Sequence, residues 1–408
     1  MQLPALRFST TLLLLGTALL SFHGAVAATK QALSAGTHQV FNEAEQALLA
    51  GNNASAARGF LKVIRLDPHL ASAYNNLGVA YKRMHRLAPA IQAFKTAQML
   101  DPHLPGIDLN LGLAYYEQAE FVNAIPQFEK VLTKRPADLQ AHYLDGMCQF
   151  MLHEYQRALN SLKPIEKYEQ GDLEYLYVLG VCYGKLKRKQ ASKEVFARLV
   201  RIGGDTPHLH LLLGEAYLGL YENPKAEQEL QKALAGNPRL PFAHYDLGVA
   251  YQRLGQLDRA GRQFEIEMAV DPKDSSAYGK RGQLWLLQKH PDRAIPLFQT
   301  ALSLDPHMVL ALAGLGQAYL QKSEPKKAAS FLERAVEVEP HNAGLHYELG
   351  QAYLKMGEQQ KALREFSELR KLHAQATQEQ AKRLGMRPPE PPVQTLSTSA
   401  GSANLPAK

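Results

Sequence analysis

The sequence predicts an all-α repeat solenoid, and three observations predict it. Turn prolines fall on a ladder with a 34-residue step: Pro68, Pro102, Pro136, Pro238, Pro272, Pro306 and Pro340, with Gln170, Gly204 and Ala374 on the other rungs. A glycine and a Phe or Leu each recur at one place of the same period. Ten consecutive units fill residues 37–376 without insertion or deletion. Such a period marks an array in which each unit buries its apolar face only against its neighbours.

With Thr37 as place one, place eight is Gly in nine units (Gly78, Gly112, Gly146, Gly180, Gly214, Gly248, Gly282, Gly316 and Gly350), Ala44 being the exception. Place eleven is aromatic in eight units, place twenty is Ala in nine with Ser192 as the tenth, and place twenty-four is Phe or Leu throughout. Places four, seven, eight and eleven form one stripe of a first helix. Places twenty, twenty-four and twenty-seven form one stripe of a second. Gly and Ala remove side chains where the two helices cross, and the larger residues fill the volume beside the crossing. Gly51, Gly255 and Gly357 stand in the turn between helices. Pro89, Pro224, Pro291 and Pro325 suit the first turn of the second helix, where no amide bond is lost. A DP-type turn closes the unit.

LG-x-x-Y…A-x-x-x-F…P at this period resembles the tetratricopeptide repeat, most fully in 71–104 (ASAYNNLGVAYKRMHRLAPAIQAFKTAQMLDPHL). The resemblance covers all ten units. It implies a right-handed superhelical solenoid of helix-turn-helix repeats whose concave groove holds a peptide or partner protein. In this family places two, five, nine, twelve and thirteen of the first helix line the groove. Here that face carries Leu109, Leu113 and Tyr116, then Tyr143, Met147, Phe150 and Met151, then Tyr177 and Val181, then Leu211, then Tyr245 and Val249. An outward helix face is ordinarily polar, so this apolar run is expected to bind a partner segment, with Tyr and Met as adaptable anchors. The alternative is burial of these side chains against neighbouring units by superhelical curvature. Asn42, Asn76 and Asn110 recur at place six, like the ladders with which some arrays of the family hold a ligand's backbone, and Asn76 and Asn110 complete the candidate site. The family's chaperone-tail pattern, Lys at place five and Asn at nine, is replaced by Asn75, Leu109 and Tyr143 and by Val79, Leu113 and Met147, which argues against carboxylate-tail binding.

Three units put a polar residue at place seven, where the others have Leu: Glu43, Asp145 and Arg281. Asp145 and Gln149 are one helical turn apart and can hydrogen-bond. The same unit has Pro164 inside its second helix, which should bend it, and a closing turn, 168–172, without proline. A hinge near 160–172, a partner contact and simple drift of the repeat are the competing readings.

Before the array, Arg7, the apolar run Leu12–Leu20 and Ala25-Val26-Ala27 compose a secretory signal over 1–27, followed by a lead-in over 28–36. Export to the periplasm or the extracellular space is the expectation. The membrane enters only if this segment stays uncleaved as an anchor. After the array, 377–387 can extend the last helix, and the Pro/Ser/Thr/Ala-rich 388–408 reads as a disordered tail.

No nucleotide-binding, hydrolase or metalloprotease motif is present in the sequence. The segments outside the array are too short for a catalytic domain, so the expectation is no enzyme, no cofactor and no small-molecule substrate. A net charge of +7 over 408 residues is too mild to argue for nucleic acid. Cys148 and Cys182 both occupy place ten, where most units have Ala, and read as structural thiols. His208-Leu-His210 lacks a third metal ligand nearby, and the basic run Lys185–Lys189 reads as a solvated turn. The functional expectation is a non-catalytic scaffold or adaptor of the cell envelope that binds a protein segment in its groove. The competing one is an accessory subunit positioning an envelope glycosyltransferase or an export machine.

Overall fold

Local sequence dictates where each helix starts and stops, and the period repeats those signals. The computed structural model describes residues 35–169 and 171–383. The expected signal segment 1–27, the expected tail 388–408 and the lead-in up to residue 34 lie outside the described residues.

The chain divides into two compact units, Met1–Pro238 and Arg239–Lys408. In the first, α1 (Ala35–Leu49) pairs with α2 (Asn53–Leu66), α3 (Ala71–Arg83) with α4 (Leu87–Leu100), and α5 (Ile107–Glu117) with α6 (Phe121–Lys134). Next come α7 (Leu139–Met151) with the short α8 (Tyr155–Leu162), α9 (Leu173–Lys185) with α10 (Lys189–Gly203), and α11 (Pro207–Gly219) with α12 (Asn223–Gly236). The second compact unit holds α13 (Ala243–Arg253) and α14 (Leu257–Val270), then α15 (Ser275–Leu287) and α16 (Pro291–Leu304). It ends with α17 (Val309–Gln321) and α18 (Pro325–Val338), and α19 (Ala343–Lys355) and α20 (Gln359–Arg383). Each pair is one repeat, and the fold among the described residues is an all-α repeat solenoid. None of these helices is long and apolar enough to cross a membrane.

All ten first helices end in the same way. Place fifteen has a positive φ in every repeat: Gly51, Gly255 and Gly357, and also His85, Ala119, His153, Lys187, Tyr221, Lys289 and Ser323, at φ between 55° and 64°. The next residue then donates its amide to the place-eleven carbonyl, as in Glu120 N to Tyr115 O (2.8 Å) and Glu324 N to Tyr319 O (2.8 Å). This closes the helix with orphan carbonyls satisfied. A side chain in that conformation costs energy that glycine avoids. Ala119 is exposed and its methyl packs on little, so Ala119→Gly is expected to stabilise by about 0.5–1 kcal/mol. An unchanged denaturation midpoint would count against strain at this place.

The repeat-closing turns also have a side-chain cause. Asp67, Asp101, Asp271 and Asp305 each accept, through Oδ1, the amide two residues on, at 2.9–3.1 Å. Asp holds the turn, and the proline between cannot continue the helix. Pro291 and Pro325 open their helices, and Pro89 and Pro224 lie in the first turn. Pro126 and Pro296, which the repeat pattern does not draw attention to, are accommodated at the sixth residue of α6 and α16. Pro164 is not accommodated: α8 stops at Leu162 and a 3₁₀ turn, Lys163–Ile165, replaces its last turns.

The crossing of the two helices is as tight as the small residues suggest. A Cβ on Gly112 would lie 2.7 Å from the Phe128 ring, and one on Gly214 would lie 2.5 Å from Leu230. The alanines at place twenty are fully buried, including Ala90, Ala124 and Ala294. Ser192, their polar substitute, donates its hydroxyl to the Gly180 carbonyl at 2.8 Å, so its burial leaves no unpaired group. The first repeat makes a compensated exchange. Its Ala44 Cβ lies 2.6 Å from where a Cβ on Gly59 would stand, so the missing side chain has moved to the facing helix.

The three polar residues at place seven find three solutions. Glu43, exposed on the end repeat, accepts from Gln39 at 2.9 Å. Asp145 is buried and accepts from Gln149 (2.8 Å) and Ser161 (2.6 Å), so the expected Asp145–Gln149 bond forms with a third partner. Burial nonetheless raises the Asp145 pKa, with the Ser161 bond opposing, and one carboxylate oxygen has no partner. Arg281 lies over Trp285 (4.0 Å) and pairs with Glu265 (2.7 Å), in space that Gly261 leaves open.

Histidines at place four staple the two helices of a repeat through place twenty-three: His210 to Glu229 (2.6 Å), His244 to Gln263 (2.7 Å) and His346 to Glu365 (2.7 Å). In the fourth repeat place twenty-three is Ser161, whose hydroxyl is taken by Asp145, and the buried His142 Nδ1 has no partner. His346 Nε2 also lies 2.9 Å from the Pro340 carbonyl. Both of its ring nitrogens therefore face acceptors, which requires the doubly protonated ring. Burial lowers the His346 pKa, but the Pro340 and Glu365 contacts outweigh it and the net shift is upward. The sign follows: the contribution is full below the unfolded value of about 6.5 and is lost as pH rises through the folded value. The denaturation midpoint of the parent should fall relative to His346→Gln as pH is raised above neutrality; parallel profiles would refute the charged staple.

Candidate protein-interaction face

The first helices α5, α7, α9 and α11 bring most of the sequence-predicted residues onto one side of the first compact unit. The structure corrects their status as an open lining. Met147, Phe150 and Val181 are at most 1% exposed, and Leu109, Tyr143, Tyr177 and Leu211 are also buried. Phe150 meets Tyr155 and Tyr177 edge to face, both at 6.1 Å between ring centroids. Met147, Tyr143, Tyr177 and Val181 share its core cluster with Cys182. Successive first helices pack side by side, so places five, nine and twelve touch the next repeat as well as facing outward. Large side chains there make a core, which is the burial alternative. In the second compact unit Val249 is buried, and Tyr245 is part-buried against Phe264 (5.7 Å).

What stays accessible in the first compact unit is the edge of the face. Leu113, Tyr116 and Met151 are part-buried, Tyr116 meeting Phe121 at 5.8 Å. The asparagines are joined to one another: Asn110 donates to Asn75 (3.0 Å) and Asn75 to Asn76 (3.2 Å), with Asn76 buried. Asn42 is exposed on α1, apart from that chain of amides.

Polar groups that sequence reasoning missed stand on the same face. The Tyr143 hydroxyl is buried and has no hydrogen-bond partner. Glu174, at place two of α9, and Glu215, at place nine of α11, are part-buried carboxylates. Burial, then Asp172, raises Glu174 to about 7. Burial, then Glu174, raises Glu215 to about 8. Burial, then Asp172 and Glu174, pushes the Tyr143 hydroxyl far up. The missed signal was a pair of acids at groove places in consecutive repeats.

The remaining candidates are structural. Cys148 and Cys182 are free, buried thiols, and burial pushes both up from the usual range. His210 is bonded to Asp205 and Glu229, both at 2.6 Å, while His208 is exposed. Among the described residues no group of three or more His, Cys, Asp or Glu is arranged to hold a metal ion. Lys187 forms the left-handed step of its turn, and Lys185 lies over Tyr221 at 4.6 Å.

Tetratricopeptide-repeat family models match residues 286–332 and 321–384, residues 109–163, and residues 71–104 and 173–202. The chain is a tetratricopeptide repeat protein. Such arrays are generally protein-interaction scaffolds, and that coarse assignment applies to this tetratricopeptide array too. Among solved structures, MamA 41-end from Desulfovibrio magneticus RS-1 is 22% identical, over 42% of this array's chain and 96% of its own, with a TM-score of 0.39. A human IFIT1 dimer with m7Gppp-AAAA is 16% identical over 83% of this chain and 90% of its own, with a TM-score of 0.46. Comparison with curated proteins gives no match.

Proposed function

We propose that this protein is an exported, non-catalytic adaptor that docks a segment of a partner protein along the first-helix face of repeats three to six. One observation carries the reading. That face is apolar and tyrosine-bearing out to its edge, where Leu113, Tyr116 and Met151 remain part-exposed over the buried Phe150 and Tyr177. An apolar edge on a rigid core is a preformed anchor site. Export is supported by the apolar run Leu12–Leu20 and the small residues Ala25-Val26-Ala27, and the adaptor is proposed to act in the cell envelope or outside the cell. The absence of catalytic motifs in the sequence supports a binding role. A photo-crosslinking amino acid at Leu113 or Met151 should capture a partner that the same group at the exposed Val122 does not. Equal capture at all three places would reject the groove. N-terminal sequencing of the mature protein should begin at Ala28; a chain that retains Met1 would refute cleavage.

A further inference from the structure

Resting on that docking face, the partner's chemistry can be narrowed. We propose that Glu174, Glu215 and the Tyr143 hydroxyl form a subsite for a lysine or arginine side chain of the bound protein segment. The three groups come from α9, α11 and α7, successive first helices, at groove places two, nine and five. Glu174 stands on α9, the middle of these three first helices in chain order, and it acts electrostatically on both of the others. Among the described residues neither carboxylate has an ion pair or a hydrogen bond, although surface acids elsewhere in the chain have both, as with Lys82–Glu117 at 2.7 Å.

Two carboxyls taken out of water side by side without a cation can ionise only at a cost to the folded state. Glu174 lies in the first turn of α9, where the helix dipole favours an anion. Glu215 is in mid-helix and has no such support. The Tyr143 side chain is 8% exposed, yet its hydroxyl is unpartnered. A cationic side chain would compensate both carboxylates and donate to the phenol oxygen, while its aliphatic stem lies on the apolar edge. Neutral or acidic side chains would leave the carboxylates uncompensated.

The test uses the full chain and an immobilised library of apolar and aromatic peptides in sibling sets, each carrying arginine, citrulline or glutamate at one position. The parent protein is expected to prefer arginine over citrulline by about tenfold, as one charge-assisted hydrogen bond warrants. Glu174→Gln with Glu215→Gln should abolish that preference, keep apolar selection and melt no lower than the parent. Equal retention of arginine and citrulline siblings by the parent would overturn the cationic subsite and leave the docking face standing. Retention unaffected by Leu113→Glu with Met151→Glu would overturn the docking face itself. A preference that emerges only after removal of residues 1–34 would assign the subsite to the chain's own leader and overturn the partner assignment.

Discussion

Gly112→Ala is expected to destabilise the chain by about 1–3 kcal/mol, the range for forcing a methyl into a packed crossing. The added Cβ would stand 2.7 Å from the Phe128 ring, which is itself fully buried. The double variant Gly112→Ala, Phe128→Ala should cost less than the sum of the single changes, because the deleted ring vacates the space the methyl needs. Denaturant melts of the four proteins measure this cycle. Strict additivity would mean that the two places do not meet. The same cycle at Gly59 should show a milder single effect of Gly59→Ala when Ala44→Gly is made with it, since the two methyls compete for one position.

Phe150→Ala should cost about 3–5 kcal/mol, as for an aromatic ring removed from a closed core. At 1% exposure, with Tyr155 and Tyr177 both packed edge to face, the ring cannot be a free lining residue. Because an array breaks cooperativity more readily than a single-cored domain, amide hydrogen exchange in 139–185 is the suitable readout beside the global melt. Protection unchanged across that stretch would restore the open-groove reading of Phe150. Met151→Ala, at the accessible edge, should have a much smaller effect on stability, and that contrast separates edge from core.

The period made the hairpins legible because each rule is repeated: Gly at place eight and Ala at twenty nine times each, and Phe or Leu at twenty-four ten times, report one crossing. The left-handed step at place fifteen was only partly legible. Gly51, Gly255 and Gly357 announce it, but Ala119 and Tyr221 adopt it with side chains that carry no such signal. Asp145 and Gln149 were legible as a pair from their spacing, whereas Ser161, on the other helix, needed the fold. The face at places five, nine and twelve leaves both readings open, groove lining and burial against the next repeat, because a helical wheel treats a helix as single. In the folded array Met147 and Val181 have neighbours on both sides, and a position outward on one helix is inward for the pair. Glu174 and Glu215 escape sequence reasoning for the opposite reason: acids on a first helix look solvated until the fold is seen to bury part of each.

First helices and second helices recur at a constant 34-residue step, and the hairpin junctions are chemically alike from repeat to repeat. Equivalent cut points are therefore interchangeable. Within the second compact unit, excision of 309–342 would join the turn after α16 directly to the start of α19, with Asp305-Pro306 closing the earlier hairpin as before. The chain length of this protein is in that sense quantised. It can be shortened or lengthened by whole repeats at modest cost, while the loss of a single residue within a helix would rotate every following side chain about the axis and misalign the crossings beyond it.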